Sequence, residues 1–233
     1  MSVHLQNEIE TLKKKILYLG AVAEEALRKS IQALNERNAV LAFSVIQGDV
    51  EVDRIEVELE EDCLKILALH QPVAVDLRFI VAVLKINNDL ERIGDLAVNI
   101  AERVGYLALQ EKFECSRDLS AMSEKVRWMV RRSLDALVNK DAAAAYEVCA
   151  ADDLVDAMHR DMYGKIKAAI LANPDQIESF INLLSVSRYL ERIADQATNI
   201  GEDVVYLIEG NIVRHKTEDL QNQRKSSETD KRG

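Results

Sequence analysis

Four pairs of acidic residues, each with a spacing of four, are the strongest candidates for a ligand-binding site in this sequence. The pairs are Asp49 and Asp53, Glu91 and Asp95, Asp152 and Asp156, and Glu191 and Asp195. On an α-helix, residues four apart lie above one another on one face, so each pair presents two carboxylates side by side. Carboxylate oxygens suit hard and borderline cations. The pattern therefore predicts metal binding.

Two asparagines extend the Glu-x-x-x-Asp pairs by a further four residues and are possible additional ligands: Asn99 and Asn199. The spacing has a cost, because like charges four apart on a helix repel by a few tenths of a kcal/mol and Asp is a weak helix former. The alternative interpretation is solvated surface. Charged residues make up 30% of the chain, and amphipathic helices ordinarily carry charge on their outer faces.

The elements that must position these acids are helices. The 233 residues include only 8 Gly and 2 Pro, which are too few for the tight turns of most all-β folds. Hydrophobic residues make up 48% and aromatic residues only 5%, so the core must consist of Leu, Ile, Val and Ala. The composition predicts an all-α protein.

Apolar periodicity and helix breakers predict six long helices. The first carries an apolar seam from Leu5 to Ala26 in alternating steps of four and three, and breaks follow at the segment NERN, before Pro72 and before Pro174. The predicted helices cover about 4–36, 39–70, 74–109, a segment around Trp128, 141–172 and 175–209.

The chain repeats itself. Residues 90–106 recur at 190–206 with eleven of 17 positions identical, and earlier matches, such as Asp49 with Asp152, have an offset of 103. The sequence therefore predicts two tandem, structurally similar three-helix bundles, in residues 1–109 and 117–209. The charged segment 210–233 has too little apolar content to offset the entropy of ordering it, so we expect it to be disordered.

Charge and motifs exclude several classes of function. The formal net charge is −10, and an acidic chain repels a phosphate backbone, so we expect no nucleic-acid partner. The three cysteines form no C-x-x-C pair, and no nucleotide-binding glycine loop is present. With neither a signal peptide nor an apolar run of about 20 residues, the chain is expected to be soluble and cytoplasmic, reaching a membrane only through partners.

Three segments carry a family resemblance: HQPVAVDLR (70–78), LERIGDLAVNIAE (90–102) and its echo LERIADQATNIGE (190–202). They resemble the PhoU family of phosphate-signalling proteins. The resemblance implies a duplicated three-helix bundle that acts in the cytoplasm as an accessory protein and negative regulator of the phosphate-starvation response. It also implies iron or zinc clusters at the eight paired acids named above.

The expected function is binding rather than catalysis. The resemblance implies two partners, the ATPase subunit of the phosphate ABC transporter and the phosphate sensor histidine kinase. We expect contact through residues 71–78 and the exposed faces of the third and sixth helices. Tandem bundles with repeated apolar edges also favour a homodimer.

The alternative function is a metal store or a di-iron-type helical metalloenzyme. Asp156-x-x-His159 is similar to the Glu-x-x-His element of di-iron carboxylate bundles. Such bundles use two of these elements, whereas this chain has one, and the first repeat has Glu56 at the position that matches His159.

Overall fold

Six long helices build the structure, a computed structural model that describes residues 3–110 and 116–210. The helices are α1 (Val3–Glu36), α2 (Ala39–His70), α3 (Ala74–Leu107), α4 (Ser116–Asn139), α5 (Ala142–Ala172) and α6 (Ile177–Glu209). A short 3₁₀ helix, Pro174–Gln176, precedes α6, and no strand occurs in the described ranges. The predicted all-α class and six helices are confirmed. The expected disorder of the last residues lies outside the described residues, apart from Gly210.

The first turn of each repeat is built in the same way. Arg37 and Lys140 adopt left-handed backbone angles (φ 55° and 51°) and end α1 and α4. The next residue caps the following helix in each case: the Asn38 side chain accepts a hydrogen bond from the backbone N–H of Leu41, and Asp141 accepts one from Ala144. Short polar caps satisfy backbone donors that the first helical turn leaves free. The segment NERN is therefore both a helix stop and a helix start.

Within each repeat the three helices pack against one another, α1 with α2 and α3, and α4 with α5 and α6. The two triplets then meet along α3 and α6, with a smaller contact between α1 and α4. The buried Leu, Ile, Val and Ala side chains of both triplets form one continuous hydrophobic core. The apolar seam of α1 belongs to this core, since the residues from Leu5 to Ala23 in that seam are at most 7% exposed. The seam is therefore not a free apolar edge for dimerisation, although the sequence had suggested that it could be one.

Three contacts show that α3 and α6 run antiparallel. A Cβ on Gly210 would lie 3.2 Å from the Arg78 guanidinium. The Lys85 Nζ lies 2.9 Å from the Oδ1 of the buried Asp203, and Asn199 donates to the Asp89 carboxylate at 3.4 Å. From one contact to the next, the residue number on α3 rises by seven and then by four, while the residue number of its partner falls by seven and then by four. The pairing therefore fixes the register of one repeat on the other.

No helix among the described residues is long and apolar enough to cross a membrane. The interruptions of the apolar pattern by charged side chains, which the sequence shows throughout, account for this finding.

Close packing of α5 against α6 depends on Gly201. A Cβ at this position would lie 3.1 Å from the Ala145 carbonyl oxygen and 3.3 Å from the Cys149 Sγ. The matching residue of the first repeat is Ala101. We predict that Gly201→Ala destabilises the protein by about 1 kcal/mol, because overpacking outweighs the gain in helix propensity.

The control is Gly164→Ala on α5, where a Cβ would meet nothing within 4 Å. This substitution should stabilise the protein by about 0.5–1 kcal/mol through helix propensity alone. Urea unfolding of the full chain measures both changes. A stabilising Gly201→Ala would show that the contact of α5 and α6 is looser than described.

Candidate metal centres

The first carboxylate cluster lies where α2 packs beside α3 and consists of Asp49, Asp53, Glu91 and Asp95. Gly94 lets the two helices approach: a Cβ there would lie 3.1 Å from the Val52 Cγ1 and 3.6 Å from the Asp49 Oδ1. Asp49 and Glu91 are half-buried, whereas Asp53 and Asp95 are exposed. The predicted four acids therefore come together on one flank of the bundle.

Burial and mutual repulsion raise the pKa values of the half-buried acids in this cluster. The pKa of Asp49 is raised to about 6 by burial, then by the neighbouring carboxylates of Asp53 and Asp95. The pKa of Glu91 is raised to about 7 by burial, then chiefly by Asp95, while Arg92 opposes the shift. Both carboxyls therefore titrate closer to neutral pH than ordinary carboxyls do. A bound cation would remove this repulsion.

The second carboxylate cluster consists of Asp152 and Asp156 on α5 and Glu191 and Asp195 on α6. Burial, followed by repulsion from Asp195 and Asp156, raises the pKa of Asp152 to about 6. Burial, followed by repulsion from Glu191 and Asp156, raises the pKa of Asp195 to about 6. The same causes raise the pKa of Glu191. All four acids are half-buried, so this cluster is more enclosed than the first one.

A polar pair accompanies each cluster at matching positions. The sequence pointed to His159 and Glu56 only for the metalloenzyme alternative, and it did not point to Asn87 or Ser187. In the first repeat, Asn87 donates from Nδ2 to the Glu56 carbonyl oxygen at 3.0 Å. In the second, the Nδ1 of His159 is hydrogen-bonded to the Ser187 hydroxyl at 2.8 Å. Burial lowers the His159 pKa, while the negative charge of Asp156 raises it, so the imidazole lies beside the second cluster. The spacing Asp-x-x-His was the only sequence signal for this neighbour.

The two asparagines that were predicted as possible additional ligands donate hydrogen bonds to groups other than the clustered carboxylates. Asn99 donates to the backbone oxygen of Asp95 at 2.9 Å, which is an ordinary contact one helical turn back. Asn199 is exposed and donates across to Asp89 on α3. Neither amide is hydrogen-bonded to the clustered carboxylates.

The two clusters lie at the same level of the molecule. By the antiparallel register of α3 and α6 described above, Glu191 and Asp195 fall level with residues 97 and 93 of α3. All four clustered acids of α3 and α6 therefore fall between the levels of residues 91 and 97 of α3. At a rise of about 1.5 Å per residue, this interval is about 9 Å along the helix axis. The clusters therefore flank the middle of the central helix pair, one facing α2 and the other facing α5.

The donor set fits a metal ion in chemical type. Four carboxylates per cluster suit hard cations and the carboxylate-bound irons of helical bundles, and zinc also accepts nitrogen donors such as the His159 imidazole. In their present rotamers, however, no three His, Cys, Asp or Glu side chains of residues 3–110 and 116–210 are arranged to hold a metal ion. Binding would require the carboxylates to turn toward a common point.

The expected partner region, residues 71–78, comprises the turn between α2 and α3 and the first residues of α3. Gln71 and Ala74 have left-handed backbone angles, with φ of 44° and 51°. Pro72 is buried and anchors the turn, whereas Val73 and Val75 are 73% and 57% exposed. The turn thus presents apolar side chains outward. Much of α3 and α6, by contrast, is buried by their mutual packing, which leaves only their outer strips accessible.

Comparison with known proteins identifies the class to which this fold and these repeats belong. The PhoU domain family matches residues 16–104 and again residues 119–204. The chain belongs to the PhoU family, which confirms the resemblance seen in the sequence.

Individual relatives cover most of the chain. A phosphate-specific transport system accessory protein PhoU homolog from Aquifex aeolicus is 39% identical over 212 residues, which is 91% of this chain and 96% of the relative. The homolog from Clostridium acetobutylicum is 34% identical over 206 residues, covering 88% and 94%. The crystal structure of PhoU from Pseudomonas aeruginosa matches with a TM-score of 0.87 and 32% identity, over 88% of this chain and 99% of that one.

The raised pKa values generate a prediction about stability. A carboxyl whose pKa is higher in the folded state binds more protons there than in the unfolded chain, so it stabilises the fold at low pH and loses this effect as pH rises through the folded pKa. The window for Asp49 and Glu91 is about pH 4 to 7. We predict that Asp49→Asn/Glu91→Gln, studied in chelator, raises the unfolding free energy at pH 8 by about 1–2 kcal/mol, a value discounted for solvent screening.

The difference between variant and wild type should vanish near pH 4, and taking this difference cancels other titrating groups such as His159. Thermal unfolding at pH 5, 6, 7 and 8 measures it. The control is Glu124→Gln/Asp135→Asn, which alters two exposed acids of α4 outside either cluster. An equal pH dependence for this control would contradict the assignment to the cluster.

Proposed function

We propose that this chain is a cytoplasmic regulator of phosphate uptake and phosphate signalling, acting as a negative regulator of the phosphate-starvation response. The observation that carries the proposal is the match of both repeats to the PhoU domain, together with relatives named phosphate-specific transport system accessory proteins. The structure from Streptococcus pneumoniae, named a phosphate transport system regulatory protein PhoU, supports it at a TM-score of 0.80 and 29% identity.

The proposed mode of action is protein binding rather than catalysis. An enzyme needs an enclosed site in which positioned groups act on a substrate away from water. Here the titratable clusters are half-buried at most, with Asp53 and Asp95 exposed. The proposed contact surfaces are the acidic helices and residues 71–78, where Val73 and Val75 are exposed. The proposed partners are the ATPase subunit of the phosphate transporter and the phosphate sensor histidine kinase.

Metal binding at the two clusters is part of the proposal. Asp49, Asp53, Glu91 and Asp95 would hold iron or zinc in the first repeat, and a bound cation would supply positive charge that cancels the repulsion between α2 and α3. In the second repeat the holding residues would be Asp152, Asp156, Glu191 and Asp195. The support is the donor chemistry and the convergence of four acids per repeat on one flank.

We predict that Asp95→Ala/Asp195→Ala lowers the metal content of the protein purified without chelator by at least about half, because each cluster loses a ligand from its α3 or α6 side. Elemental analysis measures the metal, and circular dichroism checks that the helices remain. The matched control is Glu124→Gln/Asp135→Asn. If the double alanine variant retains its full metal content, the clusters are solvated surface.

We further predict that a strain lacking the gene expresses phosphate-starvation genes even in high phosphate. A plasmid-borne wild-type chain should restore repression, as measured with a reporter fused to a phosphate-starvation promoter. Normal repression in the deletion strain, together with failure to co-purify the ATPase subunit or the kinase, would reject the regulatory function. A protein that still bound iron would then be assigned to the alternative of a metal store or di-iron-type metalloenzyme.

A homodimer also remains a proposal, supported by the general frequency of two-fold symmetric oligomers. The α1 seam no longer supports it, since that seam is buried within the monomer. Sedimentation velocity at micromolar concentration decides between one and two chains.

A further inference from the structure

A line of four apolar side chains runs along the outward face of α2. Phe43, Val50, Val57 and Leu64 occur at a constant spacing of seven and are 61%, 72%, 51% and 54% exposed. We name these four residues the α2 lane. A spacing of seven keeps side chains on nearly the same side of a helix, as in a coiled coil, and 21 residues extend about 31 Å. The lane is therefore a row of apolar side chains on one side of α2, about 10 Å apart, rather than a scatter of surface residues.

The framework of the fold does not require the α2 lane. By the repeat offset of 103, its counterparts on α5 are Tyr146, Asp153, Arg160 and Lys167. Three of these four residues are charged, and the Tyr146 hydroxyl donates to Glu209 instead of standing free. Because both repeats pack the same helix triplet, that packing does not account for the four apolar residues.

Charge distinguishes α2 in the same way. Between Ala39 and His70 this helix has eight Asp or Glu side chains against two Lys or Arg, a net charge of −6 out of −10 for the chain. The same count over α5 gives five against three, a net charge of −2. Asp53, Glu60 and Glu61 are exposed beside the lane. The row thus has mainly acidic borders, where the exposed Arg54 is already paired with Glu51 and Glu58.

We propose that the α2 lane docks a cationic amphipathic helix of a partner protein, with apolar residues along its seam and Lys or Arg at its borders. Such a helix would bury the four exposed side chains and place its cations beside Asp53, Glu60 and Glu61. The inference rests on the proposed function in that it names the chemistry of a binding partner.

Two other occupants are disfavoured by the same charges. A second copy of this chain would bring another helix of net charge −6 against the first and would repel it. The headgroups of an anionic membrane would likewise be repelled, since membrane-surface segments are basic. Charge complementarity therefore selects a cationic helix.

The test uses the full chain in chelator and a fluorescein-labelled 25-residue peptide. The peptide has Leu at alternating steps of three and four residues and Lys at all other positions. Fluorescence anisotropy should show binding that weakens about tenfold in Phe43→Gln/Val57→Gln, because two apolar contacts are lost. The matched control, Leu154→Gln/Leu171→Gln, removes two side chains on α5 that are 51% and 76% exposed and should leave affinity unchanged. A peptide of the same composition in scrambled order should bind at least about tenfold more weakly.

Three results would overturn the proposal. The first is equal affinity of the lane variant and the wild type for the patterned peptide. The second is loss of self-association in the lane variant by sedimentation, which would assign the lane to a second copy. The third is binding to vesicles of phosphatidylcholine and phosphatidylglycerol that the lane variant abolishes.

A cellular measurement separates this inference from the proposed function. In the deletion strain, a wild-type chain that restores repression while Phe43→Gln/Val57→Gln does not, at equal protein level, would support both. A wild-type chain that fails to restore repression rejects the regulatory function, while the peptide measurement still decides the lane. A lane variant that restores full repression overturns the lane's role and leaves the regulatory function intact.

Discussion

Apolar packing holds carboxylates near one another against their own repulsion, and the rest of this structure is arranged around that conflict. The helix triplets bury Leu, Ile, Val and Ala on their inner faces, and this burial fixes α2 against α3 and α5 against α6. The acids lie at the borders of those contacts, where water only partly screens them. Their pKa values are raised first by burial and then by this repulsion. A proton or a bound cation would relieve the repulsion.

Duplication supplies two copies of the framework, and the differences between them are informative. Both repeats use a left-handed residue followed by a capping Asn or Asp between their first two helices. Around the clusters they diverge, with Glu56 and Asn87 in one repeat and His159 and Ser187 in the other. On the outer helices they diverge further, since α2 is strongly acidic with an apolar lane whereas α5 is not. The two repeats thus share the caps and the clustered acids, and they differ in the side chains around the clusters and on the outer helices.

The antiparallel pairing of α3 and α6 makes one body from the two repeats. Lys85 reaches across to the buried Asp203, and its ammonium also lies over the Tyr206 ring, with 5.3 Å to the ring centroid. This pairing places both carboxylate clusters at the same level, one where α2 meets α3 and the other where α5 meets α6. Both outer helices therefore pack against members of the same central pair.

The sequence by itself determined the helices, the duplication and the identity of the acids. Apolar periodicity, the scarcity of Gly and Pro and the stops at Asn38 and Pro72 are local properties, so the helix limits followed within a few residues. One exception is the 3₁₀ turn before α6, where Pro174 sets a tighter start than the predicted helix at 175. The pairing of Asp49 with Asp53 on one face also followed, because helical spacing is fixed by backbone geometry.

Only the tertiary structure decided how these helices meet. The register of α3 on α6, the burial of the α1 seam inside the monomer and the engagement of Asn199 by Asp89 depend on contacts between residues far apart in the chain. The extent to which each acid is buried, and hence its pKa, depends on the same packing. Spacing along one helix determines which side chains share a face, but long-range packing of the apolar core determines what that face meets.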